Sequence, residues 1–271
     1  MTTQVLITGA NKGIGLATAL QLGRSGYTVH ATMRDLGRSR ELAEAAEKER
    51  LPLRISALDV NSDTSVKESI ASIQSTHGPI DILINNAGIA RRGSVEELPV
   101  SDFRALMETN YLGAVRCIQA VMPDMRKRKS GCIINVSSVG GRISSPPLTA
   151  YAASKWALEA MSEGLAQEAK MFNIRVAVVE PGIIDTGMAQ GIASEPEASA
   201  YPHARRMAGQ FSAALAQRPT STTVVAEKIL EIIKSGTWKF RHTAGPDAEG
   251  FIQRRMSMSD EEWISRGAAS D

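Results

Sequence analysis

A tyrosine and a lysine lie four positions apart in the segment AYAASKWALEAM, residues 150–161. Tyr151 and Lys155 therefore share one face of a predicted helix, where the ammonium can reach the phenol. A free tyrosine ionises near about pH 10, and an adjacent cation favours the phenolate. A tyrosine whose pKa is lowered in this way can donate and accept protons near neutral pH. The alternative is a core tyrosine with a satisfied hydroxyl beside a surface lysine.

Two further polar residues are candidates to act with this pair. Ser138 follows a predicted strand, thirteen residues before Tyr151, and its hydroxyl can hold a carbonyl oxygen. Asn110 falls on the apolar face of a helix predicted from Ser101 onward. A buried amide needs hydrogen-bond partners, and a water that bridges Asn110 to Lys155 would supply one. A purely structural hydrogen-bond network around Asn110 is the alternative.

The scaffold that must position these residues is visible in the hydropathy pattern. Up to about Val179, short runs that are β-branched and apolar on both faces alternate with amphipathic stretches of helical length. The predicted strands are residues 5–8, 28–33, 53–58, 80–84, 132–136 and 174–179, and residues 240–244 are a candidate last strand. This βαβ repetition predicts an α/β fold, a doubly wound parallel sheet with helices on both faces. The length of 271 residues fits one domain, residues 1–271.

In such a sheet, ligands bind beyond the carboxyl ends of the strands. The first strand runs into TGANKGIG and then a helix, an arrangement in which glycines let backbone N–H groups approach a pyrophosphate. A plain structural turn is the alternative, but the position inside a βαβ unit favours a nucleotide. Small, polar or turn residues also follow the later strands, among them NNAG after the fourth. The predicted cofactor residues outside the catalytic helix are Gly9, Asn11, Lys12, Gly13, Ile14, Gly15, Arg34, Asp59, Val60, Asn85, Asn86, Ala87, Gly88, Pro181 and Gly182.

The charges near the second strand favour NADP(H) over NAD(H). A ribose 2′-hydroxyl calls for an acidic acceptor at the end of that strand, whereas a 2′-phosphate calls for cations. Met33 stands where the acceptor is expected, Arg34 follows it, and Lys12 lies in the glycine turn. Asp35 is interpreted as the start of the next helix. The alternative is that both cations are merely solvated.

The composition excludes other classes of protein. With 31 basic and 29 acidic side chains the formal net charge is +2, and no nucleic-acid partner is predicted. The one dense basic run, residues 125–130, ends a helical pattern, where the helix dipole favours cations. Cys117 and Cys132 show no metal-ligand spacing, so no metal is predicted, and isolated thiols fit a reducing compartment. Without a leader or an apolar stretch near about 18 residues, a cytoplasmic protein with no membrane span is expected.

Taken in order, TGANKGIG, NNAG, Asn110, Ser138 and YAASK resemble the short-chain dehydrogenase/reductase family over about residues 5–186. The resemblance implies that Tyr151 is the catalytic acid/base and that Lys155 lowers its pKa and binds the nicotinamide ribose. It also implies that Ser138 positions the substrate oxygen and that Asn110 holds a proton-relay water. No catalytic position departs from the family pattern.

The same resemblance extends to the cofactor and to the assembly. It assigns Gly9, Gly13, Gly15 and Asn85 to the cofactor and Thr186, in PGIIDT, to the nicotinamide amide. It implies a Rossmann sheet of about seven strands and a homodimer or homotetramer with the Tyr151 helix at an interface. The stretch TVHATMRDLGRS is locally similar to the hydroxysteroid and retinol dehydrogenase branch.

Beyond the sixth strand, residues 187–220 are predicted to form a substrate lid and residues 245–271 a tail that closes the pocket or a subunit contact. An apolar inner surface of the lid favours a small hydrophobic ketone or aldehyde, with simple helix packing as the alternative. The residues that would form this surface are Met188, Ile192, Met207, Phe211 and Leu215.

The predicted reaction is reversible hydride transfer between NADPH and a carbonyl group, in the reducing direction. One alternative is an alcohol dehydrogenase that prefers NAD. Another is a nucleotide-sensing protein without catalysis, which the intact set of four catalytic residues disfavours. A sugar-nucleotide epimerase uses a similar tyrosine and lysine, but this chain has neither the glycine spacing nor the larger substrate domain expected of that class.

Overall fold

A computed structural model describes residues 2–194 and 198–268 of the chain, and its centre is one parallel sheet of seven strands in the order β3-β2-β1-β4-β5-β6-β7. The predicted α/β fold and each predicted strand are confirmed. The strands are β1 Gln4–Thr8, β2 Thr28–Met33, β3 Leu53–Ala57, β4 Ile82–Asn85, β5 Gly131–Val136, β6 Ile174–Pro181 and β7 Arg241–Ala244. The strand order reverses between β1 and β4, which is where a doubly wound sheet opens a crevice for ligands.

Helices cover both faces of this sheet. The eleven α-helices formed by the described residues are α1 Gly13–Arg24, α2 Arg40–Glu49, α3 Asp63–His77, α4 Val100–Met107, α5 Gly113–Arg128, α6 Thr149–Lys170, α7 Gly187–Ala193, α8 His203–Gln217, α9 Thr222–Ser235, α10 Ala248–Met256 and α11 Asp260–Ala268. Because successive strand side chains point to opposite faces, Val5 and Ile7 pack under α1 and α9, whereas Leu6 packs under α3 and α5. Cys132 belongs to the first layer and Cys117 to the second, and both are buried free thiols.

Helices α4 and α5 are joined by a π-helical turn, Glu108–Leu112, instead of forming one uninterrupted helix. Such wide single turns are frequent at functional sites because they reorient one side chain without ending the helix. The turn contains Asn110, which is 2% exposed. The predicted apolar face of this helix is therefore confirmed, and Asn110 is buried within it.

The predicted lid folds as α7 and α8, although residues 195–197 lie outside the described part of the chain. Ile192 is buried, and Met207, Phe211 and Leu215 on α8 are partly buried, whereas Met188, also predicted for the inner surface, is 38% exposed. The tail contacts the segment after β5, because the Trp263 indole donates to the Ser144 carbonyl (3.2 Å). The α8 residue Arg206 also donates to the Gly267 carbonyl of α11 (2.7 Å). Among the described helices, none combines the length and the apolar composition needed to cross a membrane.

Three polar side chains form a buried hydrogen-bonded chain between the sheet and α6. Asn85 on β4 donates from Nδ2 to Asn135 Oδ1 on β5 (2.8 Å), and Asn135 donates from Nδ2 to Ser162 Oγ on α6 (2.7 Å). All three residues are at most 5% exposed. A buried amide that loses its partner keeps its full desolvation cost, so this chain fixes the register of α6 on the sheet.

We expect Asn135→Ala to lower the free energy of unfolding by about 2–4 kcal/mol, because it leaves the Asn85 amide unpaired and opens a cavity. Chemical denaturation of the variant and the parent chain measures the difference. The exposed Asn61→Ala is the matched control and is expected to change stability by less than about 0.5 kcal/mol. Equal effects of the two substitutions would contradict a structural role for the buried chain.

Candidate active site

The glycine turn after β1 is packed so closely that its shape requires glycine. Gly9 has a φ of +68°, and a Cβ there would lie 2.9 Å from Ala87 Cα. A Cβ on Gly15 would lie 2.3 Å from the Gly9 carbonyl oxygen and 2.4 Å from Asn86 Nδ2. The backbone thus forms a cradle that side chains would fill, which is the feature a pyrophosphate needs.

Asn86 fastens this turn to the end of β4. Its Nδ2 donates to the carbonyl oxygens of Thr8 (2.9 Å) and Gly9 (3.1 Å). In return, the Thr8 hydroxyl accepts the backbone N–H groups of Asn86 and Ala87, each at 3.1 Å. The neighbouring Asn85 does not share this role, because its amide is buried between the sheet and α6, where it donates to Asn135. The structure therefore separates Asn85 from the edge at which the other predicted cofactor residues lie.

Helix α1 begins directly after the turn and favours an anion at its N-terminus. Lys12 occupies the N-cap position in an extended conformation and is exposed, and the first turn, which contains Ile14, is uncharged. The unpaired N–H groups and the dipole of a helix N-terminus stabilise negative charge. Asn11, which precedes this end, is partly buried. The turn and helix therefore fit a dinucleotide phosphate group.

The predicted 2′-phosphate cations follow neighbouring strands at the same sheet edge. Arg34 is exposed directly after β2, while Met33 is buried. The Asp35 carboxylate accepts the Gly37 N–H (2.9 Å) and begins a short 3₁₀ turn before α2. Its interpretation as the start of a helical segment is therefore supported, and the arginine stands beside the turn without an acidic acceptor in the Met33 position.

Asp59 and Val60 follow β3 and lie at the same edge of the sheet. The Asp59 side chain accepts the Asn61 N–H (3.0 Å), and its own N–H donates to Ser65 Oγ (3.0 Å). Val60 is buried, and a Cβ on Gly113 would lie 2.9 Å from Val60 Cβ, so α5 packs directly on it. The two residues thus form a rigid corner beside the glycine turn.

Tyr151 and Ser138 meet at the end of β5. Their side chains are adjacent, because a Cβ added to Gly140 would lie 3.4 Å from both Ser138 Oγ and Tyr151 Cε1. Ser138 begins the 3₁₀ turn Val139–Gly141 and accepts the Gly140 N–H (3.0 Å). The structure thus places the Ser138 and Tyr151 hydroxyl groups side by side, and this part of the site is called the hydroxyl wall below.

Lys155 lies behind this pair and is turned towards the sheet. Its Nζ donates to the Val136 carbonyl (2.9 Å), lies 5.8 Å from the centre of the Tyr151 ring, and belongs to a side chain that is 5% exposed. Burial lowers the pKa of Lys155 to about 8, and the Glu159 carboxylate raises it. Lys155 is therefore largely an ammonium at neutral pH.

The pKa of Tyr151 differs in direction from the sequence prediction. Burial raises the pKa of the phenol, and the hydrogen bond with Ser138 lowers it by less. The reason is that the Lys155 ammonium contacts the strand carbonyl and not the phenol oxygen, so desolvation dominates. In this structure the spacing brings the two groups to one site without lowering the pKa of the tyrosine.

The Asn110 amide has protein partners on both of its ends. Its Oδ1 accepts the Ile89 N–H (2.8 Å), and its Nδ2 donates to the Ile89 carbonyl (2.9 Å) and to Ser154 Oγ (2.9 Å). A Cβ on Gly88 would lie 3.4 Å from Asn110 Oδ1 and 3.7 Å from Lys155 Nζ. Asn110 thus forms the structural network named as the alternative, and Gly88 lies next to both this amide and the Lys155 ammonium.

The segment after β6 completes the edge, and a residue missed by sequence reasoning holds it. Thr186 caps α7 by accepting the Ala189 N–H (3.2 Å), and its methyl group faces Gly13. Asp247 accepts the Ile183 N–H (2.9 Å), and a Cβ on Gly182 would lie 2.1 Å from its Oδ1. An aspartate in the tail thus fixes the loop that follows Pro181, and the segment GPDA gave no periodic signal that would have revealed it.

The chain is similar to known proteins over most of its length. A family model for short chain dehydrogenases matches residues 3–197. An oxidoreductase of Botryotinia fuckeliana is 37% identical across the full length of both chains. Human retinol dehydrogenase 8 is 41% identical over 203 residues, which cover 73% of this chain and 64% of that protein. Rat estradiol 17-beta-dehydrogenase 1 is 37% identical over 200 residues, covering 72% of this chain and 58% of that protein.

Solved structures show the same architecture. A short-chain dehydrogenase from Streptomyces avermitilis aligns over the whole of both chains with a TM-score of 0.82 and 30% identity. A gluconate 5-dehydrogenase from Burkholderia cenocepacia, in complex with NADP and tartrate, covers 92% of this chain and 95% of its own, with a TM-score of 0.80 and 25% identity. The glycine cradle, the sheet and these alignments agree that the chain belongs to the short-chain dehydrogenase family and is related to its hydroxysteroid and retinol dehydrogenases.

Proposed function

We propose that this oxidoreductase is an NADP(H)-dependent enzyme that reduces a ketone or aldehyde of a small, hydrophobic substrate. The observation that carries the proposal is the adjacent Ser138 and Tyr151 pair beside the buried Lys155 ammonium. This wall lies at the sheet edge that also presents the glycine cradle. When bound, the nicotinamide supplies the hydride; the protein must hold the carbonyl and deliver a proton.

Each side chain of this wall has a distinct task in the proposed reaction. Ser138 donates a hydrogen bond to the carbonyl oxygen and orients it. Tyr151 transfers its phenolic proton to that oxygen as the hydride reaches the carbonyl carbon, which gives an alcohol and a phenolate. Burial raises the pKa of Tyr151, so the phenol keeps its proton at neutral pH, as a proton donor must. The Lys155 ammonium would bind the nicotinamide ribose.

The substrate class rests on the lid and on the relatives. Partly buried apolar side chains of α8 and the buried Ile192 of α7 give the segment after β6 an apolar side. The names of the similar retinol and estradiol dehydrogenases denote enzymes of hydrophobic alcohols. A hydrophobic carbonyl compound is therefore proposed over a sugar or a charged metabolite. A nucleotide-sensing role is the weaker candidate, because Tyr151, Ser138 and Lys155 are all present and adjacent.

Self-association through α6 is proposed on the same basis. Trp156 is 51% exposed on this helix, next to the small residues Ala153 and Ala160. A homodimer or homotetramer in the cytoplasm stays a prediction.

Tyr151→Phe is expected to lower kcat for carbonyl reduction by at least about 100-fold, because it removes the proton donor. A panel of ketones and aldehydes, followed by NADPH absorbance, measures the loss, and fluorescence titration should show an NADPH Kd within about twofold of the parent. Tyr27→Phe is the matched control, since Tyr27 packs against the opposite helix layer. Turnover retained by Tyr151→Phe would refute the assignment.

Arg34→Asp tests the cofactor. Loss of a charge-assisted contact to the 2′-phosphate is expected to reduce kcat/KM with NADPH by about 10–100-fold and to leave kcat/KM with NADH unchanged or higher. Lys67→Asp makes the same charge change at an exposed position of α3 and should alter neither value. The proposal of NADP(H) fails if the parent enzyme prefers NADH, or if NADPH use is insensitive to Arg34.

A further inference from the structure

A buried cluster of charges lies behind the catalytic helix and has no part in the reaction proposed above. Glu159 on α6 and Glu180 on β6 are 4% and 2% exposed. Arg241 on β7 contacts both, with Nε 3.1 Å from Glu159 Oε2 and 3.6 Å from Glu180 Oε1. Arg142, in the segment after β5, pairs with Glu180 (3.3 Å). Buried carboxylates are costly, so their presence next to a functional helix calls for a physical reason.

Glu159 is the member of this cluster that can act on the site. It lies four residues after Lys155 and therefore on the same face of α6. Lys155 is itself buried, and the carbonyl of Val136 is its hydrogen-bond acceptor. A carbonyl dipole satisfies an ammonium only in part, whereas a carboxylate one turn away opposes the desolvation cost through its full charge. The Glu159 carboxylate is the charge that raises the pKa of Lys155.

Neighbouring elements contact Glu159 from two sides. Arg241 approaches from β7 and donates to Oε2 (3.1 Å), while Oε1 has no hydrogen-bond partner among the described residues. A Cβ on Gly141 would lie 2.8 Å from Glu159 Cγ, so the turn that contains Ser138 rests directly on this side chain. Glu159 therefore contacts the turn that follows Ser138 and also acts electrostatically on Lys155.

We infer that Glu159, fixed by Arg241, is a positioning residue that keeps Lys155 in its ammonium form and thereby sets how far into the alkaline range the enzyme works. The inference rests on the proposed function, because it assumes that Lys155 binds the cofactor. No other residue of α6 combines this spacing with burial: Glu163, one turn further, also pairs with Arg241 (2.7 Å), but its side chain is 56% exposed. Glu163 therefore serves as the matched control.

The sign of the effect follows from the groups that face each other. Lys155 faces Tyr151 and Glu159, and Glu159 faces Arg241, Glu180 and Ser137. Burial and the nearby Glu180 raise the pKa of Glu159, while Ser137 and Arg241 lower it. Glu159 is the α6 residue whose charge raises the pKa of Lys155. Without that charge the pKa of Lys155 falls, so the ammonium loses its proton at a lower pH.

The experiment compares the parent enzyme with Glu159→Gln and Glu163→Gln. NADPH binding without substrate, by fluorescence, and kcat/KM with the best carbonyl substrate are measured between about pH 6 and about pH 10, with folding checked by circular dichroism. In Glu159→Gln the alkaline decline of both quantities should begin about one pH unit lower, and in Glu163→Gln it should not move. A merely structural role would lower both quantities by the same factor at every pH.

A decline in the folded Glu159→Gln variant that coincides with that of the parent overturns the inference. If the parent binds NADPH with the expected shift in Glu159→Gln but turns over none of the carbonyl compounds, the proposed function fails and the inference about Lys155 stands.

Discussion

The hydrogen bond from the Lys155 ammonium to the Val136 carbonyl ties the catalytic helix to the end of β5, and the site depends on it. An ammonium that is 5% exposed cannot be left without partners, so α6 can occupy only the position in which Nζ reaches the strand end. That position brings Tyr151 against Ser138, which follows the same strand two residues later. The buried Asn85, Asn135 and Ser162 chain fixes the other half of the helix.

The cofactor cradle is built by the same strategy, with short polar side chains that replace ladder hydrogen bonds where the strands end. Thr8 and Asn86 exchange hydrogen bonds between the ends of β1 and β4. The resulting packing is so close that only glycine fits at Gly9 and Gly15. The glycine turn and the adjacent Ser138, Tyr151 and Lys155 side chains are the basis on which hydride transfer to a hydrophobic carbonyl compound is proposed. The family membership and the fold rest on observation, whereas cofactor preference and substrate are proposed.

The sequence was sufficient for the sheet, because its buried parallel strands read as apolar runs and its glycines occur at the required turn. It was also sufficient to bring Tyr151, Lys155 and Ser138 together, since helical spacing and strand ends are local features. The sequence did not show that Asn85 and Asn86 have different roles. Adjacent strand residues point to opposite faces, and which of the two is buried depends on where β4 ends. The direction of the Tyr151 pKa depends on desolvation and on where Nζ points, and Asp247 and Arg241 act across large sequence separations. None of these has a local signal.

The central claim is that this wall and cradle carry out hydride transfer to a carbonyl carbon. The most direct measurement uses NADPH deuterated at C4 of the dihydronicotinamide, with the best substrate of the panel, and analyses the alcohol product by mass spectrometry. The account predicts that the product from one of the two C4 epimers carries a single deuterium on the carbon that bore the carbonyl oxygen. An alcohol that contains no deuterium from either epimer, or consumption of NADPH without any alcohol product, would contradict it.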